Sequence, residues 1–301
     1  MKIKATPICA IVAASALMFQ SCAGDGNNQN NQQQQQQDQQ QTQTSQTNEN
    51  NFYLIPSPED LFAFTKDKSL QFVPGLINPV ENIDKYIDVK SKELNFGTYT
   101  ADMAYCAAFE KSLESYKEFT VVHQLSDAIG IGNVFTPALE SRLKSLTDNR
   151  DSLKQMASDI YLNIQSFLDS KNRSKTMTLI STGGWLEFLY IVVNSVDKFE
   201  ADNPTIQRIA DQKIIFDNLM LRLEQQQADP SIKSTIADLT PLKAAFDELT
   251  VEKNQTSSST SNSGAIKVGG GMKIKMTENN FKKIKETITS VRNNITINNV
   301  K

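Results

Sequence analysis

The chain has 301 residues, with 31 Lys and Arg against 34 Asp and Glu, three cysteines and one histidine. A near-balanced, slightly acidic chain gives no electrostatic footing for nucleic acid or for polybasic attachment to anionic lipid. A single histidine and so few thiols also leave little material for a metal centre or a disulfide framework.

The N-terminus opens with two positive charges in Met1-Lys2-Ile3-Lys4, followed by an apolar run from Ile8 to Phe19 and then Gln20-Ser21-Cys22-Ala23-Gly24. The apolar run is too short to span a bilayer comfortably, and the order of charge, apolar segment and small residues is that of an export signal. Ending in Cys22, residues 1–23 resemble the signal of bacterial lipoproteins. Their pattern places Leu, a small residue and then Gly, Ala or Ser before the cysteine. Phe19, Gln20 and Ser21 stand there, so Ser21 alone conforms. The resemblance implies removal of residues 1–21 and lipid attachment at Cys22, which would tie the chain to a membrane. Ala23, rather than Asp, after the cysteine points to the outer membrane of a Gram-negative envelope, with the periplasmic or surface face open. The alternative is ordinary signal cleavage after Ala23, which would discard Cys22. After removal of residues 1–21, 29 basic residues face 34 acidic ones, and Cys106 is the sole cysteine besides Cys22. An internal disulfide holding the fold is then excluded.

From Asp25 to Asn51 there is no apolar side chain, only Gln, Asn, Thr, Ser and Gly with two Asp and one Glu. Such a stretch has nothing to bury against the entropy of ordering it, so residues 22–51 read as a disordered tether. About 27 residues of flexible coil reach roughly 30 Å.

Residues 52–251 read as an α-helical domain. Its strongest local signal is a capping residue followed by proline, at Ser57-Pro58, Asn78-Pro79, Thr136-Pro137, Asn203-Pro204, Asp229-Pro230 and Thr240-Pro241. The capping side chain accepts a bond from an orphan N–H of the first turn, and proline beside it forfeits nothing. Apolar stripes at helical spacing agree: Phe119, Val122, Ser126 and Ile129; Leu153, Met156, Ile160, Ile164, Phe167 and Leu168; Ile206, Ile209, Phe216, Met220 and Leu223. Thr178–Val196 is apolar on all sides. Glu187, Gly183-Gly184 and Asn194 make it a poor membrane span and predict the central core helix of the bundle. Residues 252–276 read as a flexible linker and a short β-hairpin, in which Ile266–Val268 and Met272–Met276 alternate on either side of Gly269–Gly271. Residues 277–301 follow as an amphipathic helix docking Phe281, Ile284, Ile288, Val291 and Ile295 on the domain. Its other face carries Lys282, Lys283, Lys285 and Arg292. The predicted fold class is all-α: an irregular multi-helix bundle with a central apolar helix and a short hairpin near the C-terminus.

Chemistry-bearing patterns are sparse. A Cys106/His123 nucleophile–base pair requires two helices to cross at that point. Cys106, among alanines, reads instead as a small residue at a tight helix contact. Glu110, Glu114 and Glu118 recur every fourth residue and read as a solvated helix face rather than a cation site. No phosphate-loop, zinc-protease, hydrolase-elbow or dinucleotide motif is present, and no metal or cofactor is predicted. Asp102 and Glu187 lie inside apolar helices. If buried, each needs a partner or a proton. With Tyr99, Tyr105 and Trp185 as walls they form a candidate ligand pocket. The readings that follow are a non-enzymatic, membrane-anchored module binding an envelope protein partner, a carrier bundle with a polar pocket, or an envelope hydrolase.

Overall fold

The computed structural model describes residues 71–145, 150–253, 257–260, 266–269 and 272–297. The signal, Cys22, the tether and the Ser57-Pro58 helix start lie outside the described residues. Eight helices are described: α1 (Val89–Ala108), α2 (Ser112–Ala128), α3 (Pro137–Ser145), α4 (Arg150–Ser170), α5 (Ser174–Asn194), α6 (Pro204–Gln225), α7 (Pro230–Asp247) and α8 (Glu278–Thr296). Four short strands fall between α7 and α8: β1 (Thr250–Lys253), β2 (Ser257–Thr260), β3 (Ile266–Gly269) and β4 (Met272–Lys275). Ahead of α1, residues 71–86 form a strap with two 3-10 turns, Pro74–Leu76 and Val80–Lys85. This is the expected all-α bundle with a small antiparallel element near its C-terminus.

Proline-marked starts hold at three places. Asn203 accepts from the Thr205 N–H, Asp229 from the Ser231 and Ile232 N–H groups, and Thr136 from the Leu139 N–H. The other two described pairs differ. Asn78 makes no cap; it is a buried residue of the strap, bonded to Asp102 and Tyr86. Thr240-Pro241 lies inside α7, whose buried stripe of Ile232, Thr235, Leu239, Leu242 and Phe246 runs straight through. Pro241 and Ala237 both face solvent, so the carbonyl that loses its i+4 donor can be hydrated.

The apolar stripes are buried as their spacing predicts, with Phe167 half-buried; Leu153 falls outside the described side chains. α5 is the central helix. It is long and apolar enough to cross a membrane, yet 89% of its apolar window is buried within the protein. Its Thr178 and Thr182 hydroxyls donate back to carbonyls one turn earlier, which satisfies them inside the core.

α1 packs against α5 more extensively than any other pair of elements. Glycines set that approach. A Cβ on Gly97 would sit 2.0 Å from the Ile180 carbonyl oxygen, and one on Gly183 would sit 1.8 Å from that of Leu94. The order of partners, Glu93 with Thr176, Gly97 with Gly184, shows the two helices running in the same direction. α2 and α4 cover other faces of α1. α6, α7 and α8 close the far side, with α8 lying on α7 and α5.

Near the C-terminus the pairing departs from the sequence reading. The strands flanking Gly269–Gly271 do not pair with each other. β4 pairs with β1, Val251 opposite Ile274, and β3 pairs with β2, Ser258 opposite Val268. Segment 257–260, read as linker from its Ser/Thr content, is therefore a strand. The β1/β4 ladder seats on α6, where Gln207 donates to the Ile274 carbonyl and the Ile274 side chain is buried.

Candidate functional site

The five predicted pocket residues are all buried, and their partners differ. Trp185 faces α6: its ring stacks on Phe216 at 4.6 Å and its indole N–H donates to Gln212. Tyr99 donates to the Pro79 carbonyl of the strap and meets the Tyr86 ring edge-on. Tyr105 accepts from the Val73 N–H, donates to the Gln71 carbonyl and stacks on Phe72. Asp102 and Glu187 do belong together, with two residues that sequence reasoning placed at the surface, Glu118 and Arg292.

Glu187, on α5, is held by Arg292 of α8 in a two-pronged contact, Nε to Oε2 at 2.9 Å and Nη2 to Oε1 at 2.8 Å. The guanidinium also lies 4.7 Å from the centre of the Tyr190 ring, one turn along α5 from Glu187. Burial pulls the Arg292 pKa down, but the charge and hydrogen bonds of Glu187 outweigh it, so this arginine stays charged. Arg292 is 5% exposed, which corrects its assignment to a solvated basic face. It flanks the stripe of Ile288, Val291 and Ile295 and follows that stripe into the core.

Asp102, on α1, accepts the Asn78 N–H at 2.9 Å through Oδ2, while Oδ1 has no hydrogen-bond partner. Burial holds its carboxyl well above the usual carboxylate range, reinforced by Glu187 and Glu118 and opposed by Arg292 and the Asn78 N–H. Glu118, on α2, is 2% exposed, with Oε2 unpartnered. Burial first, then the charges of Glu187 and Glu81, push it up to about 8 against the pull of Lys117. The Glu110/Glu114/Glu118 row is thus no solvated face. Glu110 lies outside the helix, in the α1–α2 turn at φ 57°, and Glu118 points inward beside Phe119.

Glu187 meets one guanidinium, and a second and third buried negative charge would have no partner of their own, which is why burial favours the neutral forms of Asp102 and Glu118. Above the cluster, Asn78 ties the strap down: its side chain donates to the Tyr86 hydroxyl and accepts from Asn82, and Tyr86 in turn donates to the Thr296 carbonyl of α8. Only the Asn-Pro dipeptide hinted at Asn78 in the sequence, and it pointed to a helix cap.

Cys106 is buried beside this cluster, and burial, then Asp102 and Glu118, raise its thiol far above reactive range. His123 lies half-buried on α2 against Phe119 and Phe135, with Nδ1 3.7 Å from Asp127. Among the described residues, no group of three or more His, Cys, Asp or Glu is placed to hold a metal ion. Among the described residues, two recesses lie elsewhere. An apolar dent of about 10 Å³ is lined by Met103, Ala107, Ser115, Met156 and Ile160. A polar recess of about 460 Å³ is lined by Asp202, Gln207, Asp211 and Lys273. Neither takes in Asp102 or Glu187.

Fold and site together define an all-α multi-helix bundle built around a buried carboxylate–arginine cluster. No family model, curated protein or solved structure matches the chain.

Proposed function

We propose that the mature chain is a non-enzymatic binding module of the bacterial envelope, held to the outer membrane by lipid on Cys22. The carrying observation is the sequence from Lys2 to Asn51: an export-type apolar run ending at Cys22, then 27 residues without an apolar side chain. A cysteine placed there gains a purpose only as an anchor, and a tract with nothing to fold is what an anchored domain needs to stand clear of a surface. An interaction role, in preference to carriage of a small ligand, is supported by the interior. Tyr99, Tyr105 and Trp185 are each engaged in internal hydrogen bonding or ring stacking.

The test is metabolic labelling with palmitate, followed by membrane fractionation and in-cell crosslinking of wild type and Cys22→Ala. The expected result is label and membrane retention that depend on Cys22, with a reproducible crosslinked envelope protein lost or reduced in Cys22→Ala. Absence of label on the wild-type chain overturns the anchor. A labelled, membrane-bound chain with no specific crosslinked partner overturns the interaction role.

A further inference from the structure

The strap of residues 71–86 is fastened in an unusual way. None of the residues in its first 3-10 turn is buried, and in the second only Asn82 is. Phe72, Leu76, Ile77, Val80 and Ile83 are half-buried and Tyr86 alone of its apolar side chains reaches the core, so the strap has less deep apolar anchorage than the helices beside it. What holds it are hydrogen bonds to side chains of α1: the Val73 N–H to Tyr105, the Asn78 N–H to Asp102, and Tyr99 to the Pro79 carbonyl. Beneath these bonds lie two of the three buried carboxyls with an unpartnered oxygen, Asp102 and Glu118; the third, Glu93, bonds Thr176 at the other end of α1. The second 3-10 turn packs directly on α2, and its Glu81 is close enough to repel Glu118.

We propose that residues 71–86 form a proton-operated clasp, closed over Asp102 and Glu118 while those carboxyls are neutral and loosened when they ionise. The groups that face this pair are known from each packed element. α1 presents Tyr99, Tyr105 and Cys106, and α2 presents Glu114 and Lys117. α5 presents Glu187 and Tyr190, α8 presents Arg292, and the strap presents Glu81 and Tyr86. The two cations do not rescue the pair. Arg292 is committed to Glu187 through both carboxylate oxygens, and Lys117 is exposed to water. Ionisation therefore adds buried negative charge beside Glu187 and Glu81, and opening the strap admits water to it.

Linkage fixes the size of the response. In the closed state Glu118 titrates at about 8. If opening returns it to an ordinary glutamate value, the closed-to-open ratio falls by up to about 50-fold between about pH 6 and pH 8 from this group alone. Asp102 acts in the same direction.

Hydrogen–deuterium exchange of the full chain, corrected for intrinsic rates, tests the clasp at about pH 6, 7 and 8. The expected result is that amides of Leu76–Tyr86 lose protection at least tenfold more than those of α5 between the lowest and highest pH. In Glu118→Gln, which mimics the protonated carboxyl, most of that difference should vanish. Strap protection that stays within about twofold, or that falls only in step with α5, overturns the proposal. So does a pH response unchanged in a folded Glu118→Gln chain. The wild-type comparison decides alone if that variant does not fold. Because exchange is read without reference to lipid or membrane, failure of the clasp and failure of the anchor are separable.

Discussion

Replacing Gly183 by alanine should be the most damaging single-methyl change in the helical core. Its Cβ would lie 1.8 Å from the Leu94 carbonyl oxygen and 2.7 Å from the Leu94 carbonyl carbon. These are backbone atoms, so no rotamer change relieves the clash. Restoring a normal contact requires α1 and α5 to separate by roughly 1.5 Å, opening the most extensive interface in the bundle. Overpacking of this kind costs about 1–3 kcal/mol, and the lost interdigitation around Leu94, Leu179 and Leu186 adds to it. Alanine returns up to about 1 kcal/mol through its helix propensity. A net loss of about 1–3 kcal/mol is expected, or roughly 2–12 °C in melting midpoint for a domain of this size. Gly97→Ala, whose Cβ would meet the Ile180 oxygen at 2.0 Å, should lose a similar amount, and the double variant less than the sum. Gly184→Ala is the internal control, because its nearest contact, the Gly97 oxygen at 3.3 Å, needs only a small adjustment. Urea titration followed by circular dichroism reads all four variants. A Gly183→Ala chain as stable as wild type would refute the close-approach argument. Equal losses in Gly183→Ala and Gly184→Ala would refute it too, by assigning the effect to backbone freedom instead.

Three further outcomes follow from the buried cluster and α7. Glu118 is raised in the folded chain to about 8, so the folded state keeps a proton that the unfolded chain releases near its ordinary value. Its contribution is fully present below that ordinary value and is lost as pH rises toward 8. The unfolding free energy should thus fall between about pH 5 and pH 9 by an amount on the order of 3 kcal/mol, seen as a lower melting midpoint, and Glu118→Gln should flatten the profile. A wild-type midpoint that rises over this range would contradict the assignment. Arg292→Met leaves Glu187 buried without its partner and should cost about 3–5 kcal/mol by chemical denaturation, while adding Glu187→Met should recover most of it. Failure of the second change to recover stability would show that Arg292 contributes packing rather than charge pairing. Pro241→Ala supplies the N–H that the Ala237 carbonyl lacks and should stabilise the chain by about 1 kcal/mol, visible as a higher urea midpoint; an unchanged or lower midpoint would mean α7 has already relaxed around the proline.

Helix positions were legible because local rules decide them. Asn203 and Asp229 cap because a side-chain acceptor before proline has no better use there, and α5 is central because no face of it could be left in water. Thr240-Pro241 misled for a physical reason: a solvent-facing proline can be carried by a helix whose buried stripe continues past it. The pairing of β2 with β3 was hidden because Ser257–Thr260 has the composition of a linker and becomes a strand only through its partner. Of the site, Asp102 and Glu187 could be singled out, since a carboxylate flanked by apolar residues on both sides has few places to go. Glu118 and Arg292 could not. Each sits at the edge of an apolar stripe amid charged neighbours, and a rotation of the helix by tens of degrees decides between core and solvent. Gly97 and Gly183 needed the partner helix in view before their lack of a side chain acquired a reason.

The close approach and the buried charge are one arrangement. α1 and α5 run in the same direction, and from the Gly97–Gly184 contact Asp102 lies five residues onward in one helix and Glu187 three residues onward in the other. At about 1.5 Å per residue, both carboxyls fall within two turns of the point where the backbones touch. Helices meeting at the usual 8–10 Å would leave room there for water or for a longer side chain between the acids. Brought to backbone contact, they exclude both, so the repulsion between Asp102 and Glu187 is felt through protein rather than through solvent. One arginine from α8 offsets one of the charges and fixes where that helix docks. The remaining carboxyls are left to protons, and the strap reaches Asp102 through the Asn78 N–H. Hence the glycine contact that makes the core rigid is also what makes its charge state sensitive to the cover above it.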